Sequence, residues 1–123
     1  MVSIDELRNR IRGAMTRWYC VREYELWSTH KGPCGAIAIA QMREGYGDTL
    51  IFCRSRQRGD KEWFNHWTVQ RNGNIVDISG CYVCYCNPRP EYTDIEVVKN
   101  DGPTWCYSEK EIAFWQTIIQ GEI

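Results

Sequence analysis

The dipeptide Asn72-Gly73 constrains this chain more than any other feature. A two-residue turn between antiparallel strands needs positive φ at both central positions, and Asn followed by Gly supplies it. β-prone runs flank the pair, Asn65-His66-Trp67-Thr68-Val69-Gln70-Arg71 before it and Asn74-Ile75-Val76-Asp77-Ile78-Ser79 after it. A hairpin closed there pairs Arg71 with Asn74, Thr68 with Asp77 and His66 with Ser79. Directly paired residues share a face of the sheet. His66 and Asp77 then become diagonal neighbours on one face, roughly 7–8 Å apart at the backbone and within reach of a side-chain hydrogen bond. One more residue in the loop would turn Asp77 to the other face, so the register is a definite geometric expectation.

A second feature lies upstream, in Gly32-Pro33-Cys34-Gly35-Ala36-Ile37-Ala38. Proline suits the first turn of a helix, where its missing N–H has no partner to lose. Small and apolar residues follow as far as Glu44, and Gly45 offers a stop. The spacing predicts a short buried helix over 33–44 with Cys34 in its first turn. Unpaired backbone N–H groups and the positive end of the helix dipole favour a thiolate there. Cys34 as nucleophile, His66 as base and Asp77 as the carboxylate that fixes the imidazole tautomer make a consistent set.

The order cysteine at a helix start, then histidine and aspartate on neighbouring strands, resembles the papain-like superfamily of cysteine peptidases and transferases. The segment His-Trp-x-x-x-x-x-Gly-x-Ile-x-Asp, from His66 to Asp77, is similar to the core hairpin of the transglutaminase-like, arylamine acetyltransferase and bacteriocin-processing branches, whose third member is acidic. The resemblance covers roughly the middle third, Gly32 to Ser79. It implies a papain-like α+β fold and attack on an amide, isopeptide or thioester, with a peptide or protein as substrate and no cofactor. Where papain carries an oxyanion glutamine this chain has Ser28. The backbone N–H of Cys34, with Ser28 or Thr29, would then bind the oxyanion. His30 could line the pocket, but it precedes the helix and lacks a paired carboxylate.

Each of these residues also has a structural reading. Cysteine is often buried inertly, His66 could be a packed strand histidine, and Asp77 a carboxylate beside a turn. The joint order and matching hairpin parity favour the catalytic set. Trp67 faces away from His66 in a regular strand, which makes it core rather than a platform for substrate.

A chain of 123 residues suits a single domain over 1–123. Its net charge of −1 argues against a general polyanion binder, and so against nucleic acid as partner. No run reaches the length of a membrane span, and the first residues lack the apolar core of a signal peptide, which points to the cytoplasm. Its seven cysteines are then expected as thiols rather than a disulfide framework. Oligomeric state is not legible.

Ser3 and Glu6 have capping-box spacing, and Ile4, Leu7, Ile11, Ala14, Met15 and Trp18 recur at helical spacing, giving a first helix to about Trp18. Tyr19 to Thr29 could extend it or form a loop. A strand is expected over 49–53. Arg54 to Lys61 reads as a basic, solvated loop beside the candidate site, a rim or flap that could meet an acidic group or a phosphate. Asn87-Pro88-Arg89-Pro90 reads as a break and Ile95 to Lys99 as a strand. Asn100-Asp101-Gly102-Pro103 is a turn signal with a short strand over 104–107 behind it. Ser108 and Glu111 form a second capping box for a terminal helix ending at Gly121.

Cys81-Tyr82-Val83-Cys84-Tyr85-Cys86 admits a zinc site completed by Cys53 or Cys106, although its alternation suits a strand as well. Two other functions therefore stand beside the enzyme. One is a non-catalytic binding or inhibitory protein on the same fold, of the kind carried by phages or mobile elements. The other is a zinc-stabilised binding domain.

Overall fold

A computed structural model describes residues 1–24, 32–80, 87, 89–99 and 107–121. Among the described residues seven elements follow in order: α1 (Ile4–Tyr24), α2 (Cys34–Arg43), β1 (Thr49–Gln57), β2 (Phe64–Arg71), β3 (Asn74–Ile75), β4 (Pro90–Val97) and α3 (Glu109–Gln120). The strands form one antiparallel sheet in the order β3-β2-β1-β4, so the architecture is α+β. Among the described residues no helix is long and apolar enough to cross a membrane.

The central hairpin forms at the expected turn. Asn72 and Gly73 take φ of 52° and 80°, and Arg71 pairs with Asn74 and Gln70 with Ile75. One further backbone bond, from Val76 N–H to the Val69 carbonyl at 2.9 Å, carries the register on. The ladder then stops, and the expected pairing of His66 with Ser79 does not form. The Ser79 N–H instead turns back to the Asp77 carboxylate at 3.1 Å. This local side-chain bond gives the backbone an alternative to the ladder, as Asp commonly does.

Three helices bury the main core. Leu7, Ile11, Ala14 and Trp18 of α1 meet Ala36, Ile37 and Ala40 of α2 and Ile112, Trp115, Ile118 and Ile119 of α3. The i, i+3, i+4 spacing of these apolar residues is what places them on one side of each helix. Trp18 and Trp115 contact with ring centroids 6.4 Å apart, and the Trp18 indole N–H donates to buried Glu111 at 3.0 Å. A smaller cluster joins Ala38 and Met42 of α2 to Leu50 of β1 and Val69 of β2. It anchors the Cys34 helix to the two central strands.

Both caps form as their spacing predicts. Ser3 accepts from the Glu6 N–H at 3.1 Å, and Ser108 from the Glu111 N–H at 3.1 Å. The second box is only half closed, because the Glu111 carboxylate is drawn inward to Trp18. α3 ends at Gly121, which takes a left-handed φ of 76°.

α1 extends past Trp18 to Tyr24, one of the two courses open to the residues after Trp18, since no glycine or proline stands between Gly13 and Gly32 to stop it. Three expected boundaries are corrected. α2 begins at Cys34, with Pro33 as the capping residue rather than the first helical one. β1 continues through Arg54-Ser55-Arg56-Gln57, so half of the expected basic loop is strand. Its alternation is written in polar residues: Ser55 and Gln57 are buried, Arg54 is exposed, and Arg56 pairs across the strands with Glu91 at 3.1 Å and lies over Trp63 at 4.1 Å. β4 opens at Pro90, where a break was expected; the first residue of an edge strand has no need of an N–H. The turn expected at 100–103 and nearly all of the strand behind it lie outside the described residues; Tyr107, which is described, is not in a strand.

β4 carries a bulge. Phe52 pairs with Glu96 but Arg54 pairs with Thr93, leaving Asp94 and Ile95 opposite Cys53. Asp94 takes the left-handed φ of 53° that such a bulge uses. The extra residue reverses the parity of β4 and sets Tyr92 opposite Ser55, on the sheet face that carries Cys53 and His66.

Candidate active site

Cys34 is the first residue of α2 and is half-buried. Among the described residues no side chain caps the helix start, and its first turn holds no acidic residue to offset the positive end of the dipole. His66 reaches the same place from β2, where it pairs with Cys53 of β1 and is only 2% exposed. The Cys34 side chain lies close enough to the His66 ring to act on its affinity for a proton. Asp77 follows β3 by two residues, and its Oδ2 lies 2.7 Å from His66 Nε2. Hairpin parity therefore brings the two side chains together although the ladder ends before Asp77.

The carboxylate is held from several directions. Oδ2 also accepts from the Tyr92 hydroxyl at 2.9 Å, and Oδ1 accepts from the Ser79 N–H at 3.1 Å. Arg8 of α1 donates through Nε to the Asp77 carbonyl at 2.9 Å, and buried Gln41 of α2 donates to the Val76 carbonyl at 2.7 Å. An acceptor so placed makes Nε2 of His66 the protonated nitrogen, which leaves Nδ1 as the nitrogen free to face sulfur.

Burial is the largest influence on His66 and by itself would lower the imidazole's affinity for a proton. The Asp77 charge, its hydrogen bond and the Cys34 side chain together outweigh it and push the pKa up to about 10. Cys53 lies behind the pair and is 1% exposed. Burial, then the charges of Asp77 and Cys34, push its thiol up to about 12, so it stays protonated and inert.

No family model, curated protein or solved structure matches this chain. The chemistry is therefore read from the residues themselves.

Of the expected site residues, Cys34, His66 and Asp77 come together. Ser28, Thr29 and His30 lie outside the described residues, as do the candidate zinc ligands Cys81, Cys84, Cys86 and Cys106. Cys53, the other ligand considered for that site, sits with His66 instead, and the described residues contain no cluster of three His, Cys, Asp or Glu suited to a metal. Trp67 turns to the face opposite His66 and packs on Phe52 with centroids 4.7 Å apart. Tyr92, Arg8 and Gln41 were not anticipated. A polar residue in an apolar helix is a signal for Gln41, whereas Tyr92 needs the bulge, which no residue of β4 announces except Asp94.

Proposed function

We propose that this protein is a small cysteine hydrolase or acyl transferase acting on an amide, isopeptide or thioester carbonyl, built on a papain-like core. The observation that carries the reading is the buried His66–Asp77 pair, 2.7 Å apart, with the Cys34 side chain at the start of α2 close enough to act on the imidazole. Nδ1 of His66 takes the thiol proton, and the thiolate sulfur attacks the carbonyl carbon. Charge develops on the carbonyl oxygen near the start of α2, where the Cys34 backbone N–H is a donor. The imidazolium, its Nε2–H fixed on Asp77, returns the proton to the leaving amine or thiol as the C–N or C–S bond breaks. The resulting thioester on Cys34 is released to water in a hydrolase or to an amine in a transferase. A peptide or protein is the proposed substrate, and the mechanism calls on no cofactor.

The test is the pH profile of iodoacetamide labelling at Cys34, each cysteine resolved by mass spectrometry, in wild type and His66→Ala. An ordinary thiol of pKa ~8.5 is only about 0.3% ionised at pH 6. A stable thiolate–imidazolium pair should therefore label up to roughly a hundredfold faster at pH 6 than the variant. Equal, ordinary reactivity in both proteins would overturn the enzyme and leave a binding protein on this fold.

A further inference from the structure

We infer that Tyr92 is a positioning residue: its hydroxyl holds the Asp77 carboxylate in the orientation that His66 requires. The inference rests on the cysteine-nucleophile reading and adds to it a fourth side chain, contributed by the edge strand.

Geometry carries it. The Tyr92 hydroxyl and His66 Nε2 meet the same oxygen, Oδ2 of Asp77, at 2.9 and 2.7 Å. The Ser79 N–H occupies the other oxygen at 3.1 Å. Asp77 is 1% exposed, so water is a poor substitute for any lost donor. Hydrogen bonds to both oxygens fix the plane of the carboxylate. Tyr92 also can only donate to Oδ2, since the ionised carboxylate has no proton to give. With both oxygens occupied, the carboxylate cannot rotate to present a different edge to the imidazole.

Among the described residues, the titratable and charged groups around the His66–Asp77 pair are Cys34 of α2, Cys53 of β1, Tyr92 of β4 and Arg8 of α1. Cys53 stays a neutral thiol, and Arg8 donates through Nε to the Asp77 carbonyl. Tyr92 supplies the side-chain hydroxyl that completes Oδ2, and the Asp94 bulge is what turns it to this face. A merely structural tyrosine would contribute to stability. A positioning tyrosine also sets the pH range over which thiolate and imidazolium coexist.

The experiment compares Tyr92→Phe with wild type in the Cys34 labelling profile from pH 4 to 11, alongside the urea midpoint of each protein. Loss of the hydroxyl weakens the hold on the imidazolium. The acid limb should therefore rise and the alkaline limb fall by about one pH unit, with labelling near pH 5 slowed roughly tenfold, the scale of a hydrogen bond to a charged group. A Tyr92→Phe profile that superimposes on wild type, with wild-type Cys34 still fast at pH 6, overturns the role of Tyr92 and leaves the site reading intact. A wild-type Cys34 that behaves as an ordinary thiol overturns the site reading and this inference with it. If Tyr92→Phe does not fold, Tyr92→3-fluorotyrosine keeps the shape and changes only the acidity of the hydroxyl. Its profile must then move from wild type, and an unmoved profile is the overturning result.

Discussion

At the scale of single residues, Asp77 is the member whose chemistry can be separated from its packing. Asp77→Asn preserves shape but replaces one acceptor oxygen with a donating NH2, so the imidazole loses the reason to keep its proton on Nε2. Turnover should fall by roughly 10²–10⁴, the range over which an orienting carboxylate acts in comparable triads. Labelling of Cys34 at pH 6 should fall with it while the urea midpoint moves much less. A variant that keeps both wild-type rates would leave Asp77 with a structural role only. Cys34, His66 and Asp77 were legible because two local rules converge on them. Proline and small residues mark a helix start, and Asn-Gly fixes hairpin parity. Arg8 was not legible, since its contact with the Asp77 carbonyl spans 69 residues of chain and depends on how α1 lies against the segment after β3.

At the scale of elements, the informative feature is β4. In a regular strand Tyr92, Asp94 and Glu96 share one face, which reads as solvated. The bulge at Asp94 breaks that parity and turns Tyr92 toward Asp77. Aspartate tolerates the left-handed φ of 53° better than most residues, and a β-branched residue tolerates it least. Asp94→Val should therefore cost roughly 1–2 kcal/mol in urea denaturation, whereas Asp94→Gly should be neutral or slightly stabilising. Asp94→Val should also slow Cys34 labelling at pH 5 if Tyr92 is displaced with the bulge. Retention of full stability in the valine variant would mean that the bulge is not fixed by this residue. The same strand shows why β1 was read too short. An apolar run marks a strand in sequence only as far as Cys53, whereas Arg54-Ser55-Arg56-Gln57 alternates in polar residues and is held by cross-strand pairing of Arg56 with Glu91. Alternation of burial, rather than of hydropathy, is what persists to Gln57.

At the scale of the molecule, the site joins α1 through Arg8, α2 through Cys34, β2 through His66, the segment after β3 through Asp77, and β4 through Tyr92. Its charge state is thus coupled to folding as a whole, and stability must depend on pH. His66 rises from an ordinary value of 6.5 to about 10 in the folded protein. Below about 6.5 both folded and unfolded chains hold this proton, and its stabilising contribution is complete. Between there and about 10 the unfolded chain releases the proton while the folded one keeps it, so stability falls as pH rises. Cys53 acts in the same direction at higher pH, because its buried thiol resists ionisation from an ordinary 9.0 to about 12. Asp48 and Glu109 are shifted the opposite way and favour folding above their ordinary range, but both are fully exposed and screened, so they contribute little to the curve. Urea midpoints of Cys34→Ser, which has no thiol to release a proton beside the one bound at His66, should decline from pH 6.5 to 10 when followed by tryptophan fluorescence. His66→Gln should flatten that limb, and Cys53→Ser should flatten only the part above about pH 9. A Cys34→Ser midpoint that holds constant or rises across pH 6.5–10 would mean that folding binds no proton at His66. The imidazolium would then be absent from the folded site, and the thiolate of Cys34 would lose the countercharge on which its reactivity at neutral pH depends.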